Sequence, residues 1–116
     1  MSRDITLYLD DILSAIEFIR EFTKEMTIDE FRTDIRTQHA CVRNLEIIGE
    51  AAKHIPNDVK SATSEVEWRK ITGLRDILSH QYFGIDVEII WDVIASKLGE
   101  LESHVIELKR RLPPKQ

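Results

Sequence analysis

Cysteine is almost absent from this chain: Cys41 stands alone among 116 residues. A single thiol excludes an internal disulfide and any zinc site built on paired cysteines, and it implies a reducing, cytoplasmic setting. Four glycines and three prolines leave few places to turn, which favours long helices over many short strands. No apolar run approaches the roughly 20 residues that a membrane span needs. The charges at Arg3, Asp4, Asp10 and Asp11 interrupt the N-terminal stretch where a signal peptide would be apolar. Strand-type alternation, internal repeats and low-complexity tracts are also missing. Positive charge is in deficit, with a net charge of -5. That balance works against broad affinity for phosphate backbones, so any RNA role must rest on local positive charge.

What is present describes a folded, soluble domain. Hydrophobic residues make up 42% and charged residues 32%. The length suits a single domain, residues 1–116, with one hydrophobic core.

Apolar residues recur at helical steps. Ile5, Tyr8, Leu9, Ile12, Ile16, Ile19 and Phe22 give one stripe and predict a helix over residues 4–25. Thr27 and Glu30 form a capping-box pair ahead of a short turn of helix. A second long helix is expected over residues 34–54, ended by Pro56. Its buried side is Ile35, Val42, Leu45, Ile48, Gly49 and Ala52, with Gly49 marking close approach of another helix. Arg36, His39, Arg43, Glu46 and Glu50 form a charged row on the same helix. That row is either a solvated face or, through Arg43 and Glu50, one wall of a polar groove.

Residues 57–66 read as loop with a helical turn. A third helix begins near residue 65, carries Trp68, Ile71, Leu74 and Leu78, and ends near residues 82–83 before Gly84. Asp86 caps a last helix reaching residue 112. Along it Val87, Trp91, Ile94, Leu98, Leu101, Val105, Leu108 and Leu112 follow alternating four- and three-residue steps, the seam of a bundle. Lys109, Arg110, Arg111 and Lys115 make a basic end. The expected fold is all-α: an antiparallel bundle of four long helices plus one or two short ones.

Chemistry concentrates in one stretch, Gly73-Leu74-Arg75-Asp76-Ile77-Leu78-Ser79-His80-Gln81-Tyr82-Phe83-Gly84. A guanidinium stabilises developing phosphate charge, an imidazole moves protons near neutral pH, and a phenol can be modified. On one straight helix Arg75 and His80 point roughly 140° apart. The helix must therefore end near His80, or Arg75 must reach round on its stem, or two chains must build the site together. Asp76 and His80, four apart, share a face. Cleaving RNA without a metal needs a proton mover and a cation for the charge building on phosphorus, and His80 and Arg75 fit those roles in type. No set of His and carboxylates has metal-ligand spacing, since Glu46 and Glu50 lack a histidine partner. His39, His54 and His104 are scattered. The plain structural alternative is that Arg75 pairs with an acid, His80 caps a helix end and Tyr82 packs as an aromatic.

The stretch resembles the Arg-x4–6-His-x-Tyr signature of HEPN-domain proteins, and more closely the HepT toxin family. The blocks Arg43-Asn44-Leu45-Glu46-Ile47-Ile48-Gly49-Glu50-Ala51-Ala52, Trp68-Arg69-Lys70-Ile71-Thr72-Gly73-Leu74-Arg75, and Tyr82-Phe83-Gly84-Ile85-Asp86 followed by Trp91 carry the resemblance in order.

The resemblance implies a homodimeric helical bundle and a metal-independent RNase, the toxin of a toxin–antitoxin pair, that requires no cofactor. Arg75 and His80 would be the catalytic pair at a composite site between two chains. Tyr82 would accept AMP from an MNT-type nucleotidyltransferase antitoxin, which silences the enzyme. Asp76 would orient His80, with Arg43 and Glu50 as supporting residues. A second reading makes the chain a non-catalytic nucleotide-binding subunit of a nucleotidyltransferase complex, with Arg75 and Tyr82 holding the nucleotide.

Overall fold

A computed structural model of the chain describes residues 4–79 and 86–112, and of residues 75–79 the backbone alone. The described residues form seven helices and no strand: α1 (Ile5–Thr23), α2 (Ile28–Thr33), α3 (Ile35–Lys53), α4 (Asn57–Ala62), α5 (Trp68–Ser79), α6 (Val87–Ser96) and α7 (Leu98–Arg111). The expected end of the third helix at residues 82–84 lies outside them.

Local sequence sets the helix starts. The Asp4 carboxylate accepts from the Thr6 N–H and opens α1. Thr27 and Glu30 close a capping box on α2: each side chain accepts the other's backbone N–H. Asp34 accepts from the Thr37 N–H at 3.0 Å and begins α3, and Asp86 accepts from the Ile89 N–H at 3.2 Å and begins α6. Between α1 and α2 the chain turns through Glu25, a non-glycine residue at φ 60°.

The core is built on α1 and α3. Leu9, Ile12, Ala15, Ile16 and Ile19 bury one side of α1 against Cys41, Leu45, Ile48, Ala51 and Ala52 of α3 and against Leu98, Leu101, Val105 and Leu108 of α7. The helices alternate in direction. Asp10 meets Lys109 at 2.6 Å while Arg20 meets Glu102, so α7 runs opposite to α1. Tyr8, near the start of α1, stacks on His54 at the end of α3, so α3 also opposes α1. Glu65, just ahead of α5, lies 4.0 Å from Arg111 at the far end of α7. Helix α5 thus starts where α3 ends and packs back along it. At the opposite end α2 joins the bundle to α6 through Phe31 against Trp91, ring centroids 5.1 Å apart, and through Arg32 bridged to Glu88.

Three expectations need correction. Ile35 is 66% exposed. It lies about 120° round α3 from Cys41, and the buried line runs instead through Gln38 and Asn44. Hydropathy passes over both because they are polar. Gln38 is satisfied by the Phe31 and Arg32 carbonyls, and Asn44 by the Ala40 carbonyl. Phe22 is 39% exposed rather than on the α1 stripe, because two successive three-residue steps carry it about 120° round from Ile16. It stacks on Phe18 at the edge of the buried face.

The last helix is broken at Lys97, whose φ of -114° departs from helical values although its N–H still reaches the Val93 carbonyl. An α-helix drifts about 20° per heptad from a strict seven-residue repeat, so a seam of 26 residues cannot stay on one side of a straight rod. The bend realigns it. Gly99 and the Ser103 hydroxyl, which donates to the Gly99 carbonyl, weaken the helix beside the break. All eight seam residues remain buried or half-buried.

Residues 57–66, expected as loop with a turn, hold the six-residue α4. Gly49 is buried, as expected of the buried side of this helix.

Candidate functional site

Arg75 and Asp76 fall in the last half of α5, so the position of that helix decides where the signature lies. Its start is fixed by Trp68. The indole is buried and its Nε1–H donates to the Thr63 hydroxyl at 2.9 Å. That hydroxyl in turn donates to the Val59 carbonyl of α4 at 2.8 Å. Val66 is buried beside it, and Ile71 and Leu74 pack half-buried against the core. These contacts hold the first two turns of α5 along α3, and the backbone carries Arg75 and Asp76 on from there. His80 and Tyr82 lie outside the described residues, as do the side chains of Arg75 and Asp76.

Arg43 and Glu50, expected as supporting residues, belong to α3, the helix on which α5 packs. Arg43 is exposed. Glu50, seven residues on, shares its side of α3. One Glu50 carboxylate oxygen lies 3.5 Å from His54 Nε2, and the other is shielded from solvent. The His54 ring is in turn stacked on Tyr8, centroids 4.7 Å apart and nearly parallel. The α3 row is therefore exposed at Arg36, His39 and Arg43 and becomes partly enclosed at Glu50. His39 is exposed and His104 half-buried on a different helix. Among the described residues no three of His, Cys, Asp and Glu gather as a metal site would require.

Two features of the site region were not legible in sequence. The Trp68–Thr63 hydrogen bond is one; a buried indole five residues after a threonine was the available signal. The Thr72 hydroxyl is the other: it is buried on α5 without a hydrogen-bond partner among the described residues. No spacing rule flags that.

Cys41 is excluded as a nucleophile. Burial in the α1–α3 core, aided by the charge of Asp34, pushes its thiol up to about 12, so the thiolate is scarce at neutral pH.

A sequence profile of the family described as "Ribonuclease HepT-like" matches residues 12–108, a span that includes Arg75, His80 and Tyr82. The chain belongs to this HepT-like ribonuclease family. It is 44% identical over 110 residues to a probable ribonuclease HepT of Thermococcus cleftensis, covering 95% of this chain and 100% of that protein. A candidate RNase of Methanocaldococcus jannaschii is 46% identical over 96 residues, 83% of this chain and 79% of the relative. Another, from Caldanaerobacter subterraneus subsp. tengcongensis, is 41% identical over 104 residues, 90% and 93% of the two chains. No solved structure matches the chain. No helix among the described residues is long and apolar enough to cross a membrane.

Proposed function

We propose that the chain is a metal-independent endoribonuclease, the toxin of a toxin–antitoxin pair, acting in the cytoplasm as a single-domain protomer of a homodimer. The observation that carries this reading is membership of the HepT-like ribonuclease family over a span that takes in the whole signature. His80 takes the proton of the ribose 2′-hydroxyl, or returns one to the leaving 5′-oxygen. The 2′-oxygen attacks phosphorus, the bond to the 5′-oxygen breaks, and the products are a 2′,3′-cyclic phosphate and a 5′-hydroxyl. Arg75 stabilises the charge on the phosphorane between these steps. Asp76 orients His80, and Arg43 and Glu50 support the site from α3.

Two signatures meeting across the dimer answer the angular problem of Arg75 and His80 on one helix, because one chain's arginine can serve the other's histidine. Control falls to Tyr82. A nucleotidyltransferase antitoxin transfers AMP from ATP to its phenol oxygen and releases pyrophosphate. The added phosphate repels RNA, and the adenosine blocks the approach.

Cleavage of labelled RNA by pure protein in the presence of EDTA, compared with His80→Ala, tests the catalytic reading. Cleavage that resists EDTA and falls by about 100-fold or more in the variant supports it. Cleavage lost with EDTA, or unchanged in His80→Ala, sinks it. Mass spectrometry after incubation with the antitoxin and ATP tests the control: an unmodified Tyr82 peptide removes that part alone.

A further inference from the structure

The net charge of the chain is -5, yet an RNase must hold a polyanion, so the location of local positive charge matters. Residues 65–75 and 107–111 carry six of the sixteen Lys and Arg but only three of the twenty-one Asp and Glu. These two stretches adjoin, since Glu65 lies 4.0 Å from Arg111. Most of the cations there are already held by carboxylates. Lys70 is bridged to Glu67 at 2.6 Å, Lys109 to Asp10 at 2.6 Å, and Arg110 and Arg111 to Glu107. Arg69 is different. It is exposed on α5 and has no carboxylate within ion-pair distance among the described residues.

Gly73 follows Arg69 by four residues and Lys70 by three, so the three share one side of α5. Glycine disfavours a helix interior, and here no packing among the described residues requires it: an added Cβ would meet none of their atoms within 4 Å. The result is a half-buried notch of backbone on α5, with the exposed Arg69 and the Glu67-bridged Lys70 on the turn before it.

Resting on the RNase reading, we propose that the Arg69–Lys70–Gly73 side of α5 is a contact for the RNA backbone. Arg69 holds a phosphate, and the Gly73 notch admits the strand close to the helix. A second copy of this chain fits the same surface less well. A two-fold contact on this patch sets it against itself and places the Arg69 charge of both chains in one interface. A phosphate backbone complements those cations.

The test is fluorescence anisotropy of the full chain with a fluorescein-labelled, 2′-O-methyl oligouridine of about 20 nucleotides across a salt series. The ligand cannot be cleaved through its 2′-oxygen, so binding is read apart from catalysis. Arg69→Gln is expected to weaken binding by about three- to tenfold at low salt. It should also flatten the slope of log affinity against log salt by about 0.7, the loss of one single-strand phosphate contact. Gly73→Leu keeps a good helix former and is expected to weaken binding at least as much, while raising the thermal midpoint. Arg20→Gln, the same charge change on α1, is expected to leave the slope unmoved.

Equal losses in Arg69→Gln and Arg20→Gln would reduce the effect to overall charge and overturn the proposal. So would wild-type protein that binds none of the ligand. A Gly73→Leu variant that changes oligomeric mass by light scattering and keeps its RNA affinity would assign the notch to a contact between copies instead. Cleavage that persists with binding independent of Arg69 sinks this proposal alone, whereas Arg69-dependent binding without cleavage sinks the RNase reading alone.

Discussion

Helices α1 and α5 both pack on α3, and they are built in opposite ways. Helix α1 has an aspartate cap, no glycine and five fully buried apolar residues, and it is tied to α7 by two ion pairs. Helix α5 places a glycine in its middle, buries the Thr72 hydroxyl without a partner among the described residues and keeps Ile71 and Leu74 only half-buried. The first two features cost stability that another residue at the position would restore. Sequences usually agree with their fold at every level except where a site requires otherwise. The contrast assigns α1 to holding the bundle and α5 to what the bundle presents.

Substitutions on the two helices should move stability in opposite directions. Ile16→Ala, which empties a fully buried position on α1, is expected to lower unfolding free energy by about 2–5 kcal/mol in a urea titration. A loss below about 1 kcal/mol would mean that α1 is not the packed centre. Thr72→Val keeps the shape and removes the unpartnered hydroxyl, so the urea midpoint should rise, by about 1 kcal/mol in free energy. A fall would show that the hydroxyl is bonded in solution. Gly73→Ala should stabilise by up to about 1 kcal/mol through helix propensity. If it destabilises, the space over Gly73 is occupied in the free protein and the contrast with α1 weakens.

The smallest effect belongs to Asp34. Hydrogen bonds from the Thr37 N–H and hydroxyl hold its carboxyl below the usual carboxylate range. A folded value below the unfolded one means that this cap stabilises α3 above the unfolded value of about 4 and that the benefit is lost as pH falls through the folded value. The stability gap between wild type and Asp34→Asn should therefore be present near neutral pH and shrink under acid. A gap constant with pH would remove the carboxylate from the account.

How much of this was legible in sequence follows from the same contrast. The α1 stripe, the capping box of α2 and the cap at Asp86 were readable because each rests on residues a few positions apart. The buried Gln38 was not, because its partners are carbonyls at the end of α2. The bend at Lys97 was hidden too: the heptad pattern names the seam and the drift it must absorb, but not the residue at which the helix breaks. For the site, the sequence names residue types and the α3–α5 pairing brings two of the elements side by side. How Arg75, His80 and Tyr82 sit relative to one another depends on long-range packing that spacing along the chain does not encode.

Cys41 carries one more consequence. As the chain's only cysteine, buried in the seam between α1 and α3 with its thiol pushed up to about 12, it is invisible to thiol reagents while the seam is closed. Every labelling event therefore counts an opening of the core. Pulse-labelling at this one sulfur provides a native clock for how often the bundle breathes, with no engineered probe. A variant in α5 that leaves the labelling rate unchanged has altered the presented surface without loosening the helices that support it.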